Sequence, residues 1–94
     1  MNALLENRVV LVTGAATGLG RRIMQIMAEA GASGYGLDIA AHDGNVPAGW
    51  EMMAGDVTLE DDIASTVNAL REQYGRLDIV VANAGIVPQW SETA

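Results

Sequence analysis

Arg8-Val9-Val10-Leu11-Val12-Thr13-Gly14-Ala15-Ala16-Thr17-Gly18-Leu19-Gly20 decides the fold of this chain. Residues 8–13 are a short β-branched run ending at a glycine, the pattern of a strand buried on both faces of a parallel sheet. From Leu19 the period changes. Leu19, Ile23, Ile26, Met27 and Ala30 recur at helical spacing, and Gly31 stands where a left-handed C-terminal cap belongs. At the junction, glycines let a ligand approach the backbone, while unpaired N–H groups and the positive end of the helix dipole favour an anion. A phosphate-bearing guest is therefore expected. The same glycines could serve only to end a strand and let the helix pack. The spacing is G-x-x-x-G-x-G rather than G-x-G-x-x-G, and a P-loop is excluded because its lysine is missing.

Downstream, Ala32 to Asp38 reads as a second, glycine-rich strand, and residues 39–49 as loop. Trp50 to Val57 reads as a third strand. Thr58 with Asp61 three residues on resembles a capping box, and Glu60, Asp61 and Asp62 suit the positive end of a helix dipole. Ile63, Val67, Leu70 and Tyr74 form that helix's core face, with Gly75 as its stop. Leu77 to Ala82 is a strongly apolar fourth strand leading into Asn83-Ala84-Gly85. The alternation predicts parallel strands joined by right-handed crossovers. The apolar fourth strand, if left at a sheet edge, would invite pairing with another chain.

Asp38 lies eighteen residues beyond Gly20, close to the offset of about 20 at which a carboxylate accepts the ribose hydroxyls of NAD. Such a carboxylate repels a 2′-phosphate. Residues 39–49 hold Asp43 and no base, so NAD is favoured over NADP.

Composition narrows the remaining classes. The 94 residues make one domain at most, with twelve acids, five bases and a net charge of −7. All five bases are arginine, so neither a Schiff-base lysine nor an ammonium-tuned catalyst is present. No basic cluster exists for nucleic acid or an anionic membrane, and no apolar run approaches the roughly 18 residues of a membrane span. Met1 to Arg8 does not read as a signal peptide, and the lack of cysteine fits a reducing, cytoplasmic setting.

Thr13-Gly14-x-x-x-Gly18-x-Gly20, Asp38, Gly55-Asp56-Val57-Thr58 and Asn83-Ala84-Gly85, in that order, resemble the N-terminal, cofactor-binding half of a short-chain dehydrogenase/reductase. The resemblance implies a Rossmann-type, doubly wound parallel α/β sheet. The first four strands, in order 3-2-1-4, would belong to one incomplete NAD-binding domain spanning residues 1–94. It implies that Gly14, Thr17, Gly18, Leu19 and Gly20 line the diphosphate and adenosine ribose. Asp38 and Ile39 would hold the adenine-side ribose, Asp56 and Val57 the adenine. Asn83, Ala84 and Gly85 would close over the ribose, with Asn83 bracing the sheet. Many members have Asn where Ala82 stands; Asn83 is kept.

The family's chemistry, as the resemblance implies it, is hydride transfer between nicotinamide and a secondary alcohol or ketone, using a Ser and a Tyr-x-x-x-Lys. Tyr35 is followed four positions on by Ile39 and Tyr74 by Asp78, so neither begins that motif, and no catalytic residue is assigned here. Both tyrosines read as packing residues. Full-length members are commonly homo-oligomers. The alternative is a truncated, non-catalytic NAD-binding or protein-interaction module.

No metal site is expected. His42 is a lone histidine in a polar loop, and the dipole already explains Glu60, Asp61 and Asp62. Pro88 and Trp90 could border a substrate cleft or belong to a plain tail, while Ser91 and Thr93 lack an activating base.

Overall fold

In the computed structural model, which describes residues 4–16, 18–39 and 44–83, the first strand (β1, Val9–Thr13) is buried along its whole length. It is central. Helix α1 (Gly18–Glu29) follows, then β2 (Ser33–Asp38), β3 (Trp50–Ala54), α2 (Glu60–Tyr74) and β4 (Ile79–Val81). The strands run parallel in the order β3-β2-β1-β4, as expected from the sequence. Leu11 is in register with Tyr35 on one side and Val80 on the other.

Because strand side chains alternate between faces, β1 feeds two cores. Val10 and Val12 pack with Met24 and Ile23 of α1, together with Trp50; Val9 and Leu11 pack with Leu37 and with Leu70, Val67 and Ile63 of α2. The sheet is thus covered on both faces, the condition for a wholly parallel sheet. Burying a Met24- or Leu70-sized side chain contributes about 1.5–3 kcal/mol. Buried polar groups are partnered where the chain needs it: the Trp50 indole N–H donates to the Ala32 carbonyl at 2.9 Å.

Several boundaries differ from the sequence expectation. The stripe predicted for the first helix is kept in part: Ile23 and Met27 pack on the core, but Leu19 is 67% and Ile26 48% exposed, while Gly20 and Met24 are the fully buried positions of α1. Gly20 packs so closely on the glycine loop that a Cβ there would run into the Gly14 carbonyl oxygen. The third strand ends at Ala54 rather than Val57, because the Asp56 carboxylate accepts from the Thr58 N–H at 2.9 Å and curls the chain off the sheet. The fourth is limited to Ile79–Val81; it lies at the sheet edge, with Val80 half-exposed.

The expected capping box does not form. Leu59 is the N-cap of α2, without a side-chain cap bond, and Asp62 reaches back to accept the Asp56 N–H at 2.8 Å. Gly75 does stop the helix, at φ 78°. Tyr35 and Tyr74 pack edge to face beneath α2 with centroids 6.4 Å apart, and the Tyr74 hydroxyl donates to the Gly49 carbonyl. Among the described residues no helix is long and apolar enough to cross a membrane.

Candidate nucleotide site

The described residues of the four motifs meet at the carboxyl ends of the strands. Thr13 ends β1, Asp38 ends β2, Gly55 and Asp56 follow β3, and Asn83 follows β4. In open α/β sheets this edge is where ligands bind. A cleft of about 170 Å3 opens there, lined by Gly14, Asp38, Ile39, Asp56, Val57 and Thr58 among others. Ile39 is 74% exposed beside it. An exposed isoleucine and Val57 flanking two carboxylates form an apolar slot with polar ends.

The glycine loop is held differently from what its spacing suggests. The Gly14 and Ala15 N–H groups donate to the Leu37 carbonyl, at 2.8 and 3.4 Å, and the Ala16 N–H donates to Asp38 Oδ2 at 2.8 Å. Those amides are committed to β2 and do not face an anion. The donors that remain are in the first turn of α1, whose N–H groups have no partners within the helix. That turn carries no acid, whereas the first turn of α2 holds three. The first turn of α1 thus carries no acid of its own, and the nearby Asp38 carboxylate is engaged by the Ala16 N–H just before it.

Each glycine has its own reason. At Gly18 the backbone sits at φ 61°, and among the described residues a Cβ would meet nothing within 4 Å. At Gly20 a Cβ would strike Gly14 and lie 2.7 Å from Asn83 Nδ2, so this glycine lets α1 approach the loop and the segment after β4. Asn83 is tied in on its other side. Its N–H donates to the Thr13 hydroxyl oxygen at 2.8 Å, and that hydroxyl donates to the Val81 carbonyl at 3.3 Å.

Asp56 is fixed by Thr58, whose hydroxyl and N–H both donate to Oδ1, at 2.6 and 2.9 Å. These bonds, the hydroxyl's first, hold its carboxyl below the usual carboxylate range, so it faces the cleft as an acceptor. Burial, with Glu51 nearby, pushes both Tyr35 and Tyr74 upward, the reverse of what a tyrosine base needs. Among the described residues no group of three or more His, Cys, Asp or Glu is placed to hold a metal.

The structure therefore brings Gly14, Gly18, Leu19, Gly20, Asp38, Ile39, Asp56, Val57 and Asn83 to one edge. Thr17, Ala84 and Gly85 lie outside the described residues, as do His42, Pro88, Trp90, Ser91 and Thr93. Two residues of the quoted motifs have roles that the sequence reading did not give them: Thr13 as the joint to Asn83, and Thr58, read there as a helix cap, as the clamp on Asp56. The Asp-x-Thr spacing of the latter is a recognisable side-chain turn signal.

Comparison with known proteins agrees with this arrangement. The chain is 42% identical over 90 residues to an uncharacterized oxidoreductase, YxjF, of Bacillus subtilis (strain 168), covering 87% of this chain and 35% of that protein. Its fold superposes on ligand-free aldohexose dehydrogenase from Thermoplasma acidophilum with a TM-score of 0.79 at 31% identity, over 92% of this chain and 32% of the other. A 3-ketoacyl-(acyl-carrier-protein) reductase from Brucella melitensis, solved with NADH, matches with a TM-score of 0.73 at 29% identity, over 81% of this chain and 34% of the reductase. The chain spans about a third of the length of these relatives. The family model for short chain dehydrogenases matches residues 8–94, nearly the whole sequence, and the chain belongs to that family.

Proposed function

We propose that this chain is the cofactor-binding half of an NAD-dependent oxidoreductase acting on a small-molecule secondary alcohol or ketone. The observation that carries the reading is Asp38, a carboxylate at the end of the strand next to β1, lining a cleft that the glycine loop also borders. In the reading, the first turn of α1, with Gly14, Thr17, Gly18, Leu19 and Gly20, holds the diphosphate. Asp38 and Ile39 receive the adenosine ribose, Asp56 accepts from the adenine amino group beside Val57, and Asn83, Ala84 and Gly85 close over the ribose. When bound, the nicotinamide supplies or accepts the hydride.

The residues suit that guest on grounds of their own. Among the described residues nothing crowds Gly18, the bonds from Thr58 favour the ionised form of Asp56, and Ile39 and Val57 offer apolar contact for a base. Asp38, with no base at 39–49, supports NAD over NADP. The kinship with oxidoreductases, one of them solved with NADH, supports the hydride chemistry. The cysteine-free composition supports a cytoplasmic, reducing setting. The test is titration of NADH by its fluorescence: saturable binding that Gly18→Val abolishes supports the reading, and wild-type chain that leaves the fluorescence unchanged contradicts it.

A further inference from the structure

We infer that Asp38 also works before any nucleotide arrives, as the latch that sets the shape of the glycine loop. The loop turns at two positive-φ glycines, Gly14 at 66° and Gly18 at 61°, so its own backbone restrains it weakly. What fixes the stretch between them is the end of β2. The Leu37 carbonyl takes the Gly14 and Ala15 amides, and Asp38 Oδ2 takes that of Ala16 across 22 residues of sequence. Ala15 is wholly buried and Ala16 is 2% exposed. A buried N–H needs an acceptor, and a carboxylate is a strong one. Removing it frees the segment that leads into the first turn of α1, where the anion-binding donors lie.

Asp38 is then a positioning residue for the loop as well as a ribose acceptor. This second role has a consequence for cofactor choice, which rests on the NAD reading above. Replacing Asp38 to admit a 2′-phosphate would loosen the diphosphate loop at the same time, so the variant does not bind NADPH as tightly as wild type binds NADH.

Amide hydrogen exchange on the nucleotide-free chain separates the latch from ribose binding. In wild type and Asp38→Asn, which keeps an oxygen acceptor, the Ala16 amide is protected. In Asp38→Ala it exchanges about tenfold faster or more, as the loss of a charge-assisted hydrogen bond predicts, while Val10 and Val12 of β1 are unchanged. Should Asp38→Ala not fold, Asp38→Ser, too short to reach Ala16, is read in the same way. Unchanged exchange at Ala16 in the folded variant overturns the latch. So does an Asp38→Ala chain that gains NADPH binding as tight as wild-type NADH binding, an outcome that leaves the NAD reading intact. If wild type binds neither nucleotide while Ala16 protection still depends on Asp38, the NAD reading fails and the latch stands.

Discussion

Asn83 donates its backbone N–H to the Thr13 hydroxyl oxygen at 2.8 Å across 70 residues of sequence, joining the end of the central strand to the segment that leaves the edge strand. Thr13 is 5% exposed, so water cannot readily replace that oxygen. Thr13→Val, similar in shape but without the hydroxyl, should cost about 1–3 kcal/mol by leaving the Asn83 N–H and the Val81 carbonyl without this partner. Thr13→Ser should retain most of the stability. Urea midpoints of the two variants test this, and equal losses in both would contradict it.

Gly18 and Gly20 should answer differently to the same methyl group. Gly20→Ala forces the Gly14 carbonyl and the Asn83 side chain apart, an overpacking cost of about 1–3 kcal/mol. Gly18→Ala meets no atom of the described residues and suffers from its left-handed backbone, about 1–2 kcal/mol. The discriminating readout is the Asn83 amide shift in NMR spectra of the free chain, which should move in Gly20→Ala and stay in place in Gly18→Ala.

Asp78 sits at the opposite end of the sheet, where it accepts from the Val9 N–H at 2.8 Å and from Arg76 Nη2 at 2.7 Å, and gives its own N–H to the Val9 carbonyl. The Arg76 hydrogen bonds first, then the Val9 N–H, hold its carboxyl below the usual range. A carboxylate whose pKa is depressed by folding adds stability above its unfolded value, near 3.9, and that stability is lost as pH falls through the folded value. Asp78→Asn should therefore be less stable than wild type near neutral pH, with the gap narrowing below about pH 4. Denaturation of both proteins across that range measures the gap, and a constant difference would contradict the assignment.

The two cores should be much less forgiving than the sheet edge. Leu70→Ala, at a position with no exposed surface between α2 and β1, should cost about 2–5 kcal/mol. Val80→Thr, at a half-exposed edge position, should change stability by less than about 0.5 kcal/mol. Thermal unfolding of the two variants side by side provides the comparison.

The strands and their parallel pairing were legible because doubly covered strands leave a plain signal, apolar runs such as Val9 to Val12 ending at glycines or acids, while their order came with the resemblance that the motifs carry. The face of α1 was legible only in part. Apolar periodicity finds Ile23 and Met27 but also favours the exposed Leu19 and Ile26, and it misses Gly20, whose lack of a side chain carries no weight in a hydrophobic stripe. The start of α2 was misread for a related reason: Thr58 has the residue type of a cap, yet its hydroxyl is already donated to Asp56. The destination of the Ala16 amide was also hidden, since a backbone donor has no letter of its own; only Asp38, 22 residues on, hints at it.

The central claim, that the cleft at the ends of β1, β2 and β3 takes NAD through Asp38, is tested most directly by calorimetric titration of the chain with NADH and with NADPH under one buffer. Saturable NADH binding at least roughly tenfold tighter than NADPH, about 1.4 kcal/mol, is the predicted result. Binding of neither nucleotide, or NADPH binding as tight as NADH, would contradict it.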